Sequence, residues 1–153
     1  MILVLDSSAM IAYLRGEPEG ETVRALLESA RQDAESAAIF AHSVNLAEVF
    51  YHVLNQTQSE ALAEDAIAVI RAAGVAERND MDDEFWREIA RLIHAARALP
   101  SDPANSSKRS NLALGDAFGV CLANRLSGDF VTKDRSEIEP LSDTDLVSAF
   151  FIR

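Results

Sequence analysis

Four carboxylates carry the chemistry that this sequence offers: Asp6, Glu48, Asp116 and Asp134. Asp6 follows the apolar run ILVL directly, in VLDSSA, although a carboxylate is costly to take out of water. Glu48 lies in SVNLAEV, Asp116 in NLALGDAFGV and Asp134 in FVTKDRSEIEPL. The helical neighbours of Asp116 are Leu112, Ala113, Gly119 and Val120, an apolar face on which an acid needs a compensating partner or a metal. The other three have local alternatives. Asp6 could cap a helix, Asp134 could open a turn before Ser136, and Glu48 could be solvated on a mixed face with Val44, Asn45, Tyr51 and His52. Gathered in one place, the four would repel unless a cation neutralises them or a proton is shared. Oxygen donors with spare positions suit one or two Mg²⁺ or Mn²⁺ ions, which keep waters and bind substrate phosphates. Such ions activate water and stabilise the leaving oxygen of a phosphodiester, and they turn an acidic pocket into a site for an anionic backbone. The set therefore points to metal-assisted phosphodiester hydrolysis.

Only a fold can gather residues so far apart in sequence. Residues 2–5 form a short strand without polar alternation, as expected of one buried on both faces. Ser7 or Ser8 is placed to cap a helix through about Leu14, and Gly16 and Pro18 break it. A second amphipathic helix covers 19–32, a second strand 38–41, and helices 43–55 and 59–73 follow. A third strand is expected at 75–78. The helix at about 82–97 has Trp86, Ile89, Leu92 and Ile93 on its apolar side. The polar stretch at about 98–111, with two prolines and several serines, is the one clear long loop. A helix over 112–126 and strands at 129–132 and 146–151 complete the chain. Short apolar strands alternating with helices predict an α/β/α sandwich around a mostly parallel sheet of roughly five strands, in one domain spanning residues 1–153. Ligands of such folds bind at the carboxyl ends of the strands. Asp6 and Asp134 end strands there, and Glu48 and Asp116 lie in the early turns of helices that start at the same rim.

With those residues in place, the strand-Asp-Ser start VLDSSAMIAYL, the NLAEV glutamate, the LGDAFGVCLA helix and VTKD resemble a PIN-domain ribonuclease. The similarity is closest to the VapC-type toxins of bacterial toxin–antitoxin pairs and runs over essentially the whole chain. The resemblance implies that Asp6, Glu48, Asp116 and Asp134 are the acidic catalytic residues, with Asp6, Asp116 and Asp134 at the metal and Ser7 in the metal or water shell. It further implies an RNA substrate of the tRNA or rRNA class, a cognate antitoxin protein that covers the site, and a homodimer. The long loop at 98–111 and the acidity of the chain depart from what a compact RNA-cutting member would show.

Composition sets the boundaries of this reading. The 153 residues carry 25 acids against 14 lysines and arginines, a formal charge of −11, which is not the basic footprint of a general nucleic-acid binder. Some of that excess is crowded into Glu77, Asp80, Asp82, Asp83, Glu84 and Glu88, as expected for a helix N-terminus and its solvated face. The cations placed to meet RNA phosphates are Arg15, Lys108, Arg109, Lys133 and Arg135. The single cysteine, Cys121, excludes an internal disulfide and a multi-cysteine zinc site and reads as a core thiol. No apolar run reaches the ~18 residues of a membrane span and no basic segment precedes an apolar one, so a cytoplasmic location is expected. His42 reads as a capping or structural residue, His52 and His94 as surface or packing residues. Tyr13, Phe50 and Tyr51 read as helix-packing or dimer-face residues. No phosphate-binding glycine loop is present, and Ser8 stands where a haloacid-dehalogenase phosphatase would carry its second aspartate. A PIN-like scaffold that binds RNA or protein without cutting, or a nuclease of RNA processing, are the other readings.

Overall fold

A computed structural model describes residues 1–102, 104, 105 and 107–153. Five strands form one sheet: β1 (Ile2–Leu5), β2 (Ala38–His42), β3 (Ala76–Arg78), β4 (Asp129–Thr132) and β5 (Ala149–Phe151), in the order β3-β2-β1-β4-β5. Every neighbouring pair is parallel, with Leu3 opposite Ile39 on one side and Asp129 on the other. β1, where Asp6 begins the exit, is therefore the centre of the sheet. Side chains alternate across it, as the strand period requires. Leu3, Leu5, Ile39, Ala41 and Val131 face one core, while Val4, Phe40 and Phe130 face the other.

Four helices cover the first face: α1 (Ser7–Arg15), α2 (Pro18–Gln32), α3 (Ser43–Thr57) and α4 (Glu60–Ala72). They supply Met10, Val23, Leu27, Val49, Ile67 and Ile70 to its core. The second face is covered by α5 (Asp83–Ala96), α6 (Leu114–Leu126) and α7 (Arg135–Ser142), through Phe85, Phe118, Leu122, Ile138 and Leu141. The three-layer α/β/α architecture with an all-parallel sheet is the one expected from the alternation of elements.

Four local differences matter. The helix cap after β1 is Asp6 itself, whose carboxylate accepts from the Ala9 N–H, so neither Ser7 nor Ser8 takes that role. α7 has no apolar repeat strong enough to announce it in eight residues, and Pro140 lies inside it. On α5 the buried residue is Phe85, whereas Trp86 points outward and is 44% exposed. The expected loop is pinched by an antiparallel bridge between Pro100 and Arg109, with Ser101 N–H bonded to the Lys108 carbonyl and Ser110 N–H to the Leu99 carbonyl. Pro103 and Ser106 of that loop lie outside the described residues. Among the described residues no helix is long and apolar enough to cross a membrane.

Candidate active site

The carboxyl ends of β1 and β4 and the first turns of α3, α6 and α7 converge on a set of carboxylates. Asp6 is 1% exposed, the most buried acid of the molecule. Its N–H extends the sheet to the Val131 carbonyl (3.0 Å). Its Oδ1 accepts from the Ala9 N–H (2.7 Å) and from the Ser8 hydroxyl (2.8 Å), and its Oδ2 from the Thr132 hydroxyl. Burial pushes the Asp6 carboxyl up to about 6, even though Thr132, Ala9 and Ser8 all favour its charged form. The hydroxyl on Asp6 thus belongs to Ser8 and Thr132. Ser7, favoured by sequence, makes no such bond.

Glu48 is held from two sides. Asn45, fully buried one turn earlier on α3, donates its amide to Glu48 Oε2 (3.3 Å) and to the Gly115 carbonyl (3.1 Å). Gly115 opens the space that Glu48 fills: a Cβ there would sit 2.0 Å from Glu48 Oε1. The LGD tripeptide therefore brings the Glu48 carboxylate against the helix turn that carries Asp116. The Asp116 carboxyl is pushed up to about 8, by burial first and then by the charges of Asp6, Glu137 and Glu48 and a hydrogen bond shared with Glu137.

Glu137 is the member that the sequence did not point out. It lies in the first turn of α7, and its Oε2 accepts from the N–H of Ala113, the residue that begins α6 and has no side-chain cap of its own. Asp134 stands beside the set rather than in it. Its Oδ1 caps α7, accepting from Ser136 N–H (2.8 Å), the Ser136 hydroxyl (2.8 Å) and Glu137 N–H (3.3 Å), while its own N–H binds Thr132 Oγ1 (3.0 Å). The turn before Ser136 is thus realised, and it aims Glu137. The one sequence signal for Glu137 is its place three residues after a capping Asp, where first-turn acids are favoured.

No lysine or arginine pairs with Asp6, Glu48, Asp116 or Glu137 among the described residues. The expected RNA-contacting cations are engaged elsewhere: Arg15 (3.5 Å) and Lys133 (2.7 Å) on Glu17, Arg135 on Glu139 (2.9 Å), and Arg109 on the Ala98 carbonyl (3.3 Å). Lys108 is exposed in the loop. His42 caps α3 through Nδ1 and donates from Nε2 to the Asp80 carbonyl (3.0 Å), stacked on Phe85, which is the structural role expected of it. Two carboxyls raised by burial, with two more beside them and no cationic side chain, are a donor set that a hard divalent ion would relieve. Among the described residues no three acidic, histidine or cysteine side chains are grouped closely enough to hold a metal ion by themselves. An open set of few carboxylates is how Mg²⁺ is held when waters and substrate phosphates complete its octahedron.

The model of the PIN domain family matches residues 3–139, nearly all of the chain. The chain belongs to the PIN-domain family, whose members are generally nucleases. Its fold is similar to that of the VapBC-1 complex of nontypeable Haemophilus influenzae (TM-score 0.67, 13% identity, 99% of this chain and 98% of that one). It is also similar to VapBC2 of Rickettsia felis bound to promoter DNA (0.65, 13%, all of both chains). A toxin–antitoxin complex of Klebsiella pneumoniae matches with TM-score 0.54, 15% identity and 89% of each chain. No curated protein matches the sequence.

Proposed function

We propose that the chain is a Mg²⁺- or Mn²⁺-dependent endoribonuclease and the toxin of a toxin–antitoxin pair, a cytoplasmic homodimer inhibited by a cognate antitoxin protein. One observation carries the catalytic part: Asp6, buried, and Asp116, half-buried, meet at the carboxyl edge of the sheet, both pushed toward protonation and without a cationic partner among the described residues. In this assignment Asp6 and Asp116 hold the ion, Glu48 and Glu137 flank it, and Asp134 keeps α7, and through it Glu137, in place. A divalent ion bound there supplies activation of the attacking water and stabilisation of the departing oxygen. Ser8 and Thr132 orient Asp6, Asn45 orients Glu48, and the Glu137 contact to Ala113 fixes the start of the helix that carries Asp116. The four acids exclude bare phosphate from the pocket, so RNA is admitted only with the ion in place.

The test is cleavage of an end-labelled RNA, with tRNA and rRNA as substrates, under Mg²⁺, Mn²⁺ and chelator. Activity with either ion, lost in chelator and in Asp116→Asn, supports the assignment, and full activity of Asp116→Asn overturns it. The toxin role rests on the likeness to solved toxin–antitoxin assemblies, and its test is separate. Induced expression arrests growth and co-expression of the adjacent small gene restores it. Harmless expression of an active nuclease assigns the chain to RNA processing, and RNA binding without cleavage under any divalent ion assigns it a scaffold role.

A further inference from the structure

An acidic enzyme for an anionic substrate has few cations to spend near its site, and two of them are gathered there on one carboxylate. Glu17, in the short turn between α1 and α2, accepts from Lys133 Nζ at 2.7 Å and lies 3.5 Å from Arg15 Nε. The hydrogen bond from Lys133, then the charges of Lys133, Arg15 and His52, hold the Glu17 carboxyl below the usual carboxylate range. His52 has a buried Nε2 without a hydrogen-bond partner among the described residues.

The cluster joins the acids by two short paths. Lys133 N–H donates to Ser8 Oγ (3.3 Å), and that hydroxyl is bonded to Asp6. His52 lies four residues beyond Glu48 on α3, a rise of about 6 Å along the helix axis. Lys133 and Arg15 stay partly exposed, at 39% and 52% of their side chains, and can be reached from solvent. Glu17 is the sole acid to which either of them is paired among the described residues.

We infer that Arg15 and Lys133 form a subsite for the RNA phosphate adjacent to the scissile one, and that Glu17 occupies it as an intramolecular stand-in until that phosphate arrives. The inference rests on the ribonuclease assignment above. The phosphate takes over the two cations and Glu17 turns to water, so Glu17 sets the affinity for RNA without touching the bond that is cut. Exchange of one anion for another on the same two cations costs little, since ion pairs open to solvent are weak.

The experiment is fluorescence anisotropy of a labelled single-stranded RNA in Ca²⁺, with cleavage of the same RNA followed in Mg²⁺. Glu17→Gln, which keeps the hydrogen-bonding shape and removes the charge, should bind about three- to tenfold more tightly at low salt, with the gain shrinking as salt rises. The gain should vanish when Lys133→Ala and Arg15→Ala are added, and kcat should hold while KM falls. Unchanged or weaker binding by Glu17→Gln, with the parent protein still cutting RNA, overturns the subsite and leaves the nuclease standing. Failure of the parent protein to bind or cut RNA overturns both.

Discussion

At the β3 edge of the sheet, Asp80 and Asp82 share one arginine, and their chemistry is opposite to that of the acids at the end of β1. Arg125 reaches Asp80 and Asp82 from α6 (3.0 Å to each through different nitrogens) and lies over the Phe85 ring, and Arg78 forms a two-pronged pair with Asp80 at 2.8 and 3.0 Å. The guanidinium groups hold both carboxyls below their ordinary range, with Arg125 foremost for Asp82 and Arg78 for Asp80. At the β1 centre, Asp6 and Asp116 have hydroxyls, an amide cap and other acids for company, and both are raised. The same residue type is thus a fastener where arginines meet it and a proton-holding acid where they do not. A carboxyl depressed by a structural ion pair is no pointer to function, whereas one raised by burial and neighbouring acids in a cleft is a candidate for it.

The widest separation between the two regions is expected in cleavage. Asp116→Asn should lower it by about a hundredfold or more without lowering the melting temperature in chelator, because a desolvated charge is removed. Asp82→Asn should leave cleavage intact. Gly115→Ala comes next: its methyl would displace the Glu48 carboxylate, a movable side chain, so cleavage should fall about tenfold or more while the fold holds. Gly119→Ala instead meets the fully buried Phe130 ring at 2.4 Å and should cost stability first. Thermal melts and cleavage of the two glycine variants separate site from core.

The pH dependence of stability should take opposite signs in the two regions. A carboxyl raised in the folded state binds more protons folded than unfolded, so stability falls as pH climbs. In chelator the wild type should therefore lose melting temperature from about pH 4 to about pH 8, and Asp116→Asn should flatten the upper part of that slope. Asp80 and Asp82 are depressed, so their contribution is complete above the ordinary carboxylate value and is lost as pH falls below it. Arg125→Ala should shrink that acid-side loss, chiefly the Asp82 part, while Arg78 still holds Asp80. The smallest effect is expected for Arg125→Ala at neutral pH, a drop of about 2–6 °C, because exposed ion pairs contribute little each and the guanidinium also packs on Phe85.

Where the sequence carried the pattern locally, it could be read. Four apolar strand runs, the breaks at Gly16 and Gly74 and the positions of Asp6, Glu48 and Asp116 all follow from residues within a few places of each other. What escaped is held by distant contacts. Glu137 reveals itself only through Ala113, 24 residues away, and Thr132 only through Asp6. The choice of Ser8 over Ser7 depends on helix phase at the first turn, and either serine satisfies the local pattern. Asp134 is ambiguous for the same reason. A capping Asp and a site Asp look alike until α7 shows which way its carboxylate turns. Trp86 was given to the apolar face of α5 because a one-residue shift in helix phase cannot be settled without the surface it packs on, which is set by His42 and Phe118 around Phe85.

The strand order has a consequence in time. β1 is made first, yet β4, its partner in the centre of the sheet, lies about 126 residues further along the chain, the span that separates Asp6 from Thr132. At ordinary rates of synthesis that gap lasts on the order of ten seconds. Throughout it Asp6 lacks the Thr132 hydroxyl, for most of it Asp116 has not yet been made, and Glu137 follows only after it. A chain arrested before its fourth strand therefore carries Asp6, Glu48 and Asp116 without Thr132 or Glu137, and the carboxylate set stays incomplete on the ribosome until α7 has been made.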